Sequence, residues 1–182
     1  ISDNKLSSKI AVIYKNDDVY STGIFNSFSA KAGELGLDIV SVTTFTTDSQ
    51  TDFSVQIADA KNSGADLVYL PTYYEANALI LTQASAAGYS PKYFGVDGMD
   101  GILSVKGFDA ALAEGVMLLT PFNADAEEER TKSFVNKYQE KYGDVPNQFA
   151  ADAYDCVYAI YEALKHEEGV TGASASDLCD KL

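Results

Sequence analysis

The 182-residue sequence is short of the side chains that build most catalytic and metal centres. It has no Trp, one His and two Cys. Cys156 and Cys179 make neither a disulfide framework nor a CxxC metal site. Cys156 shares an apolar helical face with Val157, Ile160 and Leu164, and is expected to be a small core residue. The lone His166 stands beside Lys165 at the expected end of a helix, where a cation complements the helix dipole. With no second His, no nucleophile elbow and no paired acids, hydrolase and transferase chemistry has no visible machinery, and the protein is expected to be non-catalytic. Cations are scarce too: 13 Lys and Arg face 27 Asp and Glu, a formal charge of −14. That balance argues against nucleic acid and against anionic membrane surfaces as partners. No apolar run reaches the roughly 18 residues that a membrane-spanning helix needs. No glycine-rich phosphate loop follows the first expected strand, so neither a nucleotide nor another cofactor is expected. The polar opening from Ile1 to Lys9 carries no initiator Met and no signal peptide, and reads as the lead-in of a fragment.

What is present is a steady alternation of strand and helix signals. Hydrophobic residues make up 46% of the chain, enough for one sizeable core. Lys9 to Tyr14 is a near-continuous apolar run, as in a strand covered on both faces. Lys15 to Tyr20 reads as a loop, with Ser21 or Thr22 capping a helix whose stripe is Ile24, Phe25, Phe28, Ala32 and Leu35. Leu37 to Thr43 reads as a second strand and Thr44 to Thr51 as a loop. Thr51 or Asp52 is expected to cap a helix with Phe53, Ile57 and Ala60 on one face. Leu67 to Leu70 has the length of a buried strand, Tyr74 to Ala87 is helical up to Gly88, and Tyr93 to Val96 is a fourth strand. Gly115 to Leu119 supplies a fifth. Strands and helices at this spacing mean βαβ units and an α/β fold with a mostly parallel five-stranded sheet.

After Pro121 the pattern changes, so residues 1–120 are expected to form an α/β lobe and 121–182 a separate helical segment. Asp125 and Glu128 resemble a capping box opening a helix through Phe134, Val135 and Tyr138 to Gly143. Asp144 to Asn147 reads as a loop, followed by a helix from about Phe149 to His166, a small-residue linker from Gly169 to Ser176 and a short tail.

In parallel sheets of this kind ligands bind beyond the carboxyl ends of the strands. Tyr20, Tyr73 and Asp97 follow the first, third and fourth strands, so all three leave one sheet edge. A carboxylate there can pair with a cation, and each tyrosine offers a broad apolar face with one hydroxyl for orientation. The plain alternative is that Asp97 caps the turn before Gly98 while the tyrosines pack loops; three such residues on one edge favour a site. Thr72 and Ser21 are counted with them as candidate ligand contacts. Metal sites are not expected. Asp17-Asp18 has the look of the acidic pair in phospho-receiver domains, but Pro71-Thr72 stands where the acceptor Asp would be, leaving a solvated turn. Asp97 and Asp100 are too sparse for a calcium loop.

The stretches KIAVIYKNDDVYSTGI, DFSVQIADAKNSGADLVYLPTYYEANALILTQASAAG, YFGVDGMDG, AEGVMLLTPF and PNQFAADAYDCVYAIYEAL occur in this order from Lys9 to Leu164. As an ordered set they resemble the type I periplasmic solute-binding proteins of branched-chain amino acid ABC transporters. The resemblance implies two three-layer αβα Rossmann-like lobes on a hinge, closing over an amino acid without catalysis. This chain would be the second lobe plus the return segment, with the first lobe absent. Tyr20 and Tyr73 match ligand-walling tyrosines of the family. Asp97 matches an acidic residue, often Glu, that takes the ligand's α-ammonium. The implied partners are a branched-chain or related amino acid and an ABC transporter permease. The implied location is extracytoplasmic, either periplasmic or as a cell-surface lipoprotein. Helices of the return segment would be left without their sheet, free to pack on this lobe or to form a dimer or swap with a neighbour. Two rivals keep the α/β fold: a ligand-sensing domain of a regulator or receptor, and a flavodoxin-like enzyme.

Overall fold

A computed structural model describes residues 1–165, 172 and 174–180. His166 and residues 169–171 and 173 of the expected linker lie outside the described residues. The chain divides into two compact units, Ile1–Thr120 and Pro121–Leu182.

The first unit holds five strands: β1 (Ile10–Lys15), β2 (Ile39–Phe45), β3 (Leu67–Leu70), β4 (Lys92–Gly95) and β5 (Met117–Leu118). They form one sheet in the order β2-β1-β3-β4-β5, and every neighbouring pair is parallel. Three helices connect them: α1 (Val19–Leu35), α2 (Ser54–Asn62) and α3 (Tyr74–Ala86). Alternate residues of a strand face opposite sides, and this divides the core in two. Ala11 and Ile13 of β1, with Val68 and Leu70 of β3, bury against Ile57 and Ala60 of α2 and Ile80, Leu81 and Ala84 of α3. Ile10, Val12, Leu67 and Tyr69 point the other way, toward Ile24, Phe25 and Phe28 of α1. The result is a three-layer αβα lobe. Because β1 lies between β2 and β3, the order of strands reverses beside it, and a crevice opens at the carboxyl ends of such a sheet.

Several element starts differ from the sequence expectation. Helix α1 opens earlier, at Val19, because Asp18 is its cap: Asp18 Oδ1 accepts from the Ser21 N–H at 2.8 Å. A carboxylate there also meets the positive end of the helix. Ser21 cannot serve as the cap because its hydroxyl is already engaged elsewhere. Helix α2 follows an Asx turn in which Asp52 Oδ1 accepts from the Ser54 N–H at 2.9 Å. Phe53 sits at the cap position, where its N–H is taken by Gln83 Oε1 at 2.8 Å and its ring is fully buried edge-on to Phe45. Strand β2 accordingly runs on to Phe45 rather than ending at Thr43, since Phe45 is needed inside. Gly36 closes α1 in the left-handed region (φ 66°), where a Cβ would be strained, and the Leu37 N–H returns to the Ala32 carbonyl.

The amino ends of the strands are laced together. Asp66, just ahead of β3, accepts from the Ser7 hydroxyl at 2.6 Å, from both the N–H and the hydroxyl of Ser8, and from the Lys9 N–H. The Lys92 ammonium donates to the Leu6 carbonyl, and the Tyr89 hydroxyl to the Ala65 carbonyl. The donors around Asp66, above all the Ser7 hydroxyl, hold its carboxyl well below the usual carboxylate range.

The second unit contains α4 (Glu129–Tyr142), α5 (Gln148–Leu164) and the short α6 (Ala175–Cys179). Helix α4 begins four residues later than the Asp125 start expected from the sequence, because the Asp125 N–H is bound to Asn123 Oδ1 in a turn. Asn147 caps α5 through Oδ1 to the Ala150 N–H, so this helix starts one residue ahead of Phe149. Phe134 links the two helices, its ring 4.8 Å from that of Tyr154. Most of the apolar face of α5 is nevertheless open: Val157, Tyr158, Ile160 and Tyr161 are all exposed. Cys156, expected in a core, is exposed as well.

Candidate functional site

The turns that leave β1, β3 and β4 converge at the carboxyl edge of the sheet. After β1 the cap at Asp18 starts α1 at once, so Tyr20 lies in the first helical turn rather than in a loop. After β3, Pro71 and Thr72 lead to Tyr73, which holds the cap position of α3 in extended backbone. After β4 the chain folds into a short 3-10 turn, Asp97–Met99, closed by the Met99 N–H on the Val96 carbonyl.

These three turns share one hydrogen-bonded cluster. The Tyr20 hydroxyl donates to Asp97 Oδ1 at 2.6 Å and accepts from the Gly98 N–H at 2.8 Å. The Tyr20 ring stacks on the Tyr73 ring with centroids 4.9 Å apart and planes 26° from parallel. Burial, followed by the bond to Asp97, pushes the Tyr20 hydroxyl far above its ordinary acidity range. Tyr73 is raised by burial and by the charges of Asp18 and Asp97. Tyr69, beneath them on β3, is pushed up to about 12 by burial and the Asp97 charge. The Asp97 charge thus raises all three phenols, Tyr20, Tyr69 and Tyr73.

The two remaining candidates sit deeper. Ser21 is fully buried. Its hydroxyl accepts from the Lys15 N–H at 2.9 Å and donates to the Pro71 carbonyl at 2.6 Å, tying the exit of β1 to that of β3. Thr72 is buried, and its carbonyl accepts from Asn77 Nδ2 at 3.0 Å. Both hold up the rim on which Tyr20, Tyr73 and Asp97 stand. Sequence reasoning missed Asn77 and Gly98. Asn77 stood inside a helical pattern with nothing to mark it as buried, and Gly98 passed for an ordinary turn glycine. Among the described residues no three His, Cys, Asp or Glu side chains gather so as to hold a metal ion.

Comparison with known proteins decides the family. The profile of the periplasmic binding proteins matches residues 3–178. The chain belongs to the periplasmic binding protein family. Among curated relatives, Leu/Ile/Val-binding protein homolog 4 of Brucella abortus is 29% identical over 155 residues, covering 84% of this chain and 37% of that protein. Homolog 7 of the same organism is 29% identical over 179 residues, covering 91% of this chain and 43% of its own length. Solved structures share the fold, LivJ and LivK among them. LivJ, the branched-chain amino acid transporter substrate-binding protein of Streptococcus pneumoniae, was solved in complex with isoleucine. It superposes with a TM-score of 0.84 at 26% identity, over 99% of this chain and 49% of that one. The leucine-binding protein LivK of Thermotoga maritima gives 0.77 at 27% identity, over 98% and 49%. The relatives and solved structures that this chain resembles are thus Leu/Ile/Val-binding and branched-chain amino acid transporter substrate-binding proteins. The chain spans less than half the length of these curated relatives.

Proposed function

We propose that this chain forms one side of the solute cleft of an extracytoplasmic binding protein, where it takes the ammonium end of a branched-chain or related amino acid. The observation that carries this reading is the 2.6 Å bond from the Tyr20 hydroxyl to Asp97, with the Tyr20 ring stacked on Tyr73. A free amino acid is a zwitterion, and burying it requires an anion for one end and hydrogen-bond donors for the other. Asp97 supplies the anion, Tyr73 and Tyr20 the apolar wall. Donors for the carboxylate would come from the remaining half of a protein about twice as long, as the solved relatives are. Splitting the two ends between lobes makes the ligand favour the closed form, which an ABC transporter permease can read. No bond of the solute is broken. The exposed aromatic face of α5 is, on this reading, where the second unit meets that other half.

Amide-resolved NMR of the 182-residue chain tests the proposal by titration with leucine, isoleucine and valine. Expected is weak binding, in the millimolar range or above, with shifts confined to Tyr20, Tyr73, Asp97 and Gly98. The amine 3-methylbutan-1-amine should reproduce them, and 3-methylbutanoate should not. Micromolar affinity would contradict the divided cleft. Shifts elsewhere, or a response to the acid alone, would overturn the ammonium assignment.

A further inference from the structure

We infer that Gly98 is the positioning residue of this subsite, acting through Tyr20 on Asp97; the inference rests on the ammonium reading above. Gly98 is not a glycine of conformational necessity, because it is absent from the glycines that adopt positive φ. What it lacks is room. A Cβ at this position would lie 2.8 Å from the Tyr20 hydroxyl oxygen, 3.0 Å from the Thr72 carbonyl oxygen and 3.2 Å from Tyr20 Cε1. For a Cβ to fit, the Tyr20 ring or the 97–99 turn must shift. The Tyr20 ring is backed by Tyr73. The Thr72 carbonyl is held by Asn77, which is itself fully buried, and the Thr72 N–H is bound to the Leu70 carbonyl at 2.9 Å. One residue earlier, the Pro71 carbonyl is pinned by Ser21.

The close approach has a chemical purpose. The Gly98 N–H donates to the Tyr20 oxygen, and that oxygen's own proton is thereby directed to Asp97. A hydroxyl that accepts one hydrogen bond donates its own more strongly and in a fixed direction. The carboxylate that would receive an ammonium is therefore oriented before any ligand arrives, which removes part of the ordering cost of binding. A side chain at 98 forces the 97–99 turn and Tyr20 apart and takes from Asp97 the hydrogen bond that Tyr20 supplies.

The experiment compares the wild-type chain with Gly98→Ala, Tyr20→Phe and the double variant, using 3-methylbutan-1-amine as the probe. Without ligand, the wild type should show a downfield, slowly exchanging hydroxyl proton from Tyr20, and Gly98→Ala should lose it while the amide spectrum elsewhere keeps its dispersion. The amine response of Gly98→Ala should weaken about tenfold or more, the scale of one lost charge-assisted hydrogen bond. Tyr20→Phe, which overfills nothing, should lose the same response, so the outcome stands even if Gly98→Ala folds poorly. In the double variant the nearest contact is relieved: thermal stability should recover relative to Gly98→Ala, and the amine response should not. Recovery of both, or a Gly98→Ala chain that keeps the hydroxyl signal and its amine response, would overturn the positioning role. A wild type with the hydroxyl signal but no amine response would defeat the ammonium reading instead, leaving the Gly98–Tyr20–Asp97 chain of bonds intact as structure and without the role assigned here.

Discussion

The two units handle the same kind of residue in opposite ways. In the sheet lobe the large apolar side chains go inward: Phe45, Phe53, Ile80 and Leu81 are at most 2% exposed. In the helical unit, Tyr158 and Tyr161 are 49% and 58% exposed, and Val157 reaches 65%. The difference lies in the partners available to each apolar face, not in composition. A βαβ run carries both halves of every interface within a short stretch, since each helix returns to the sheet that its flanking strands form. Helices α4 and α5 meet through Phe134 and Tyr154, and most of the apolar face of α5 stays open. The sheet lobe buries its large apolar side chains, and the helical unit leaves many of its own exposed.

Single substitutions should separate the two units by what each one costs in stability. The largest effect is expected from Phe53→Ala, which empties the fully buried site beneath Phe45 and should cost about 3–5 kcal/mol in denaturant unfolding. A loss near zero would mean that the lobe core is not the source of stability. Next comes Gly95→Ala on β4, where a Cβ would lie 2.5 Å from Met99 Sδ and 2.9 Å from Met99 Cβ. Met99 is fully buried and cannot swing out, so overpacking of about 1–3 kcal/mol is expected by the same measurement. Asp66→Asn should show a pH signature. Its folded carboxyl is held below the ordinary value of about 3.9, so its contribution is present above that pH and is lost as the solution is acidified further. Wild type and variant should differ in thermal midpoint at pH 7 and converge in acid; a constant gap would assign the effect to packing rather than to charge. The smallest change is expected from Tyr158→Ala on α5, within about 0.5 kcal/mol of wild type. A cost like that of Phe53→Ala would show that this face is covered in solution.

The sequence made the interior strands legible and the boundaries less so. Leu67–Leu70 was read to the residue, because a run of four apolar residues between Asp66 and Pro71 has one physical meaning. Start points went astray where two candidate caps compete. Asp18 takes the cap of α1 because the Ser21 hydroxyl is spent joining two strand exits, a long-range bond that no local pattern carries. Asp125 failed as a helix start because Asn123 had already turned the chain. The convergence of Tyr20, Tyr73 and Asp97 on one edge followed from strand parallelism alone. The hydroxyl-to-carboxylate bond among them, and the glycine that permits it, depend on separations of a few tenths of an ångström that only coordinates hold.

The lacing at Asp66 lies at the sheet end opposite Tyr20 and Asp97. Anchorage and chemistry thus occupy opposite poles of the sheet. On the proposed reading, a new side chain at 20, 73 or 97 would alter what is received without loosening the knot that keeps the strands in register. Preference for one solute over another would then drift by single substitutions, each tried on a scaffold already secured from below.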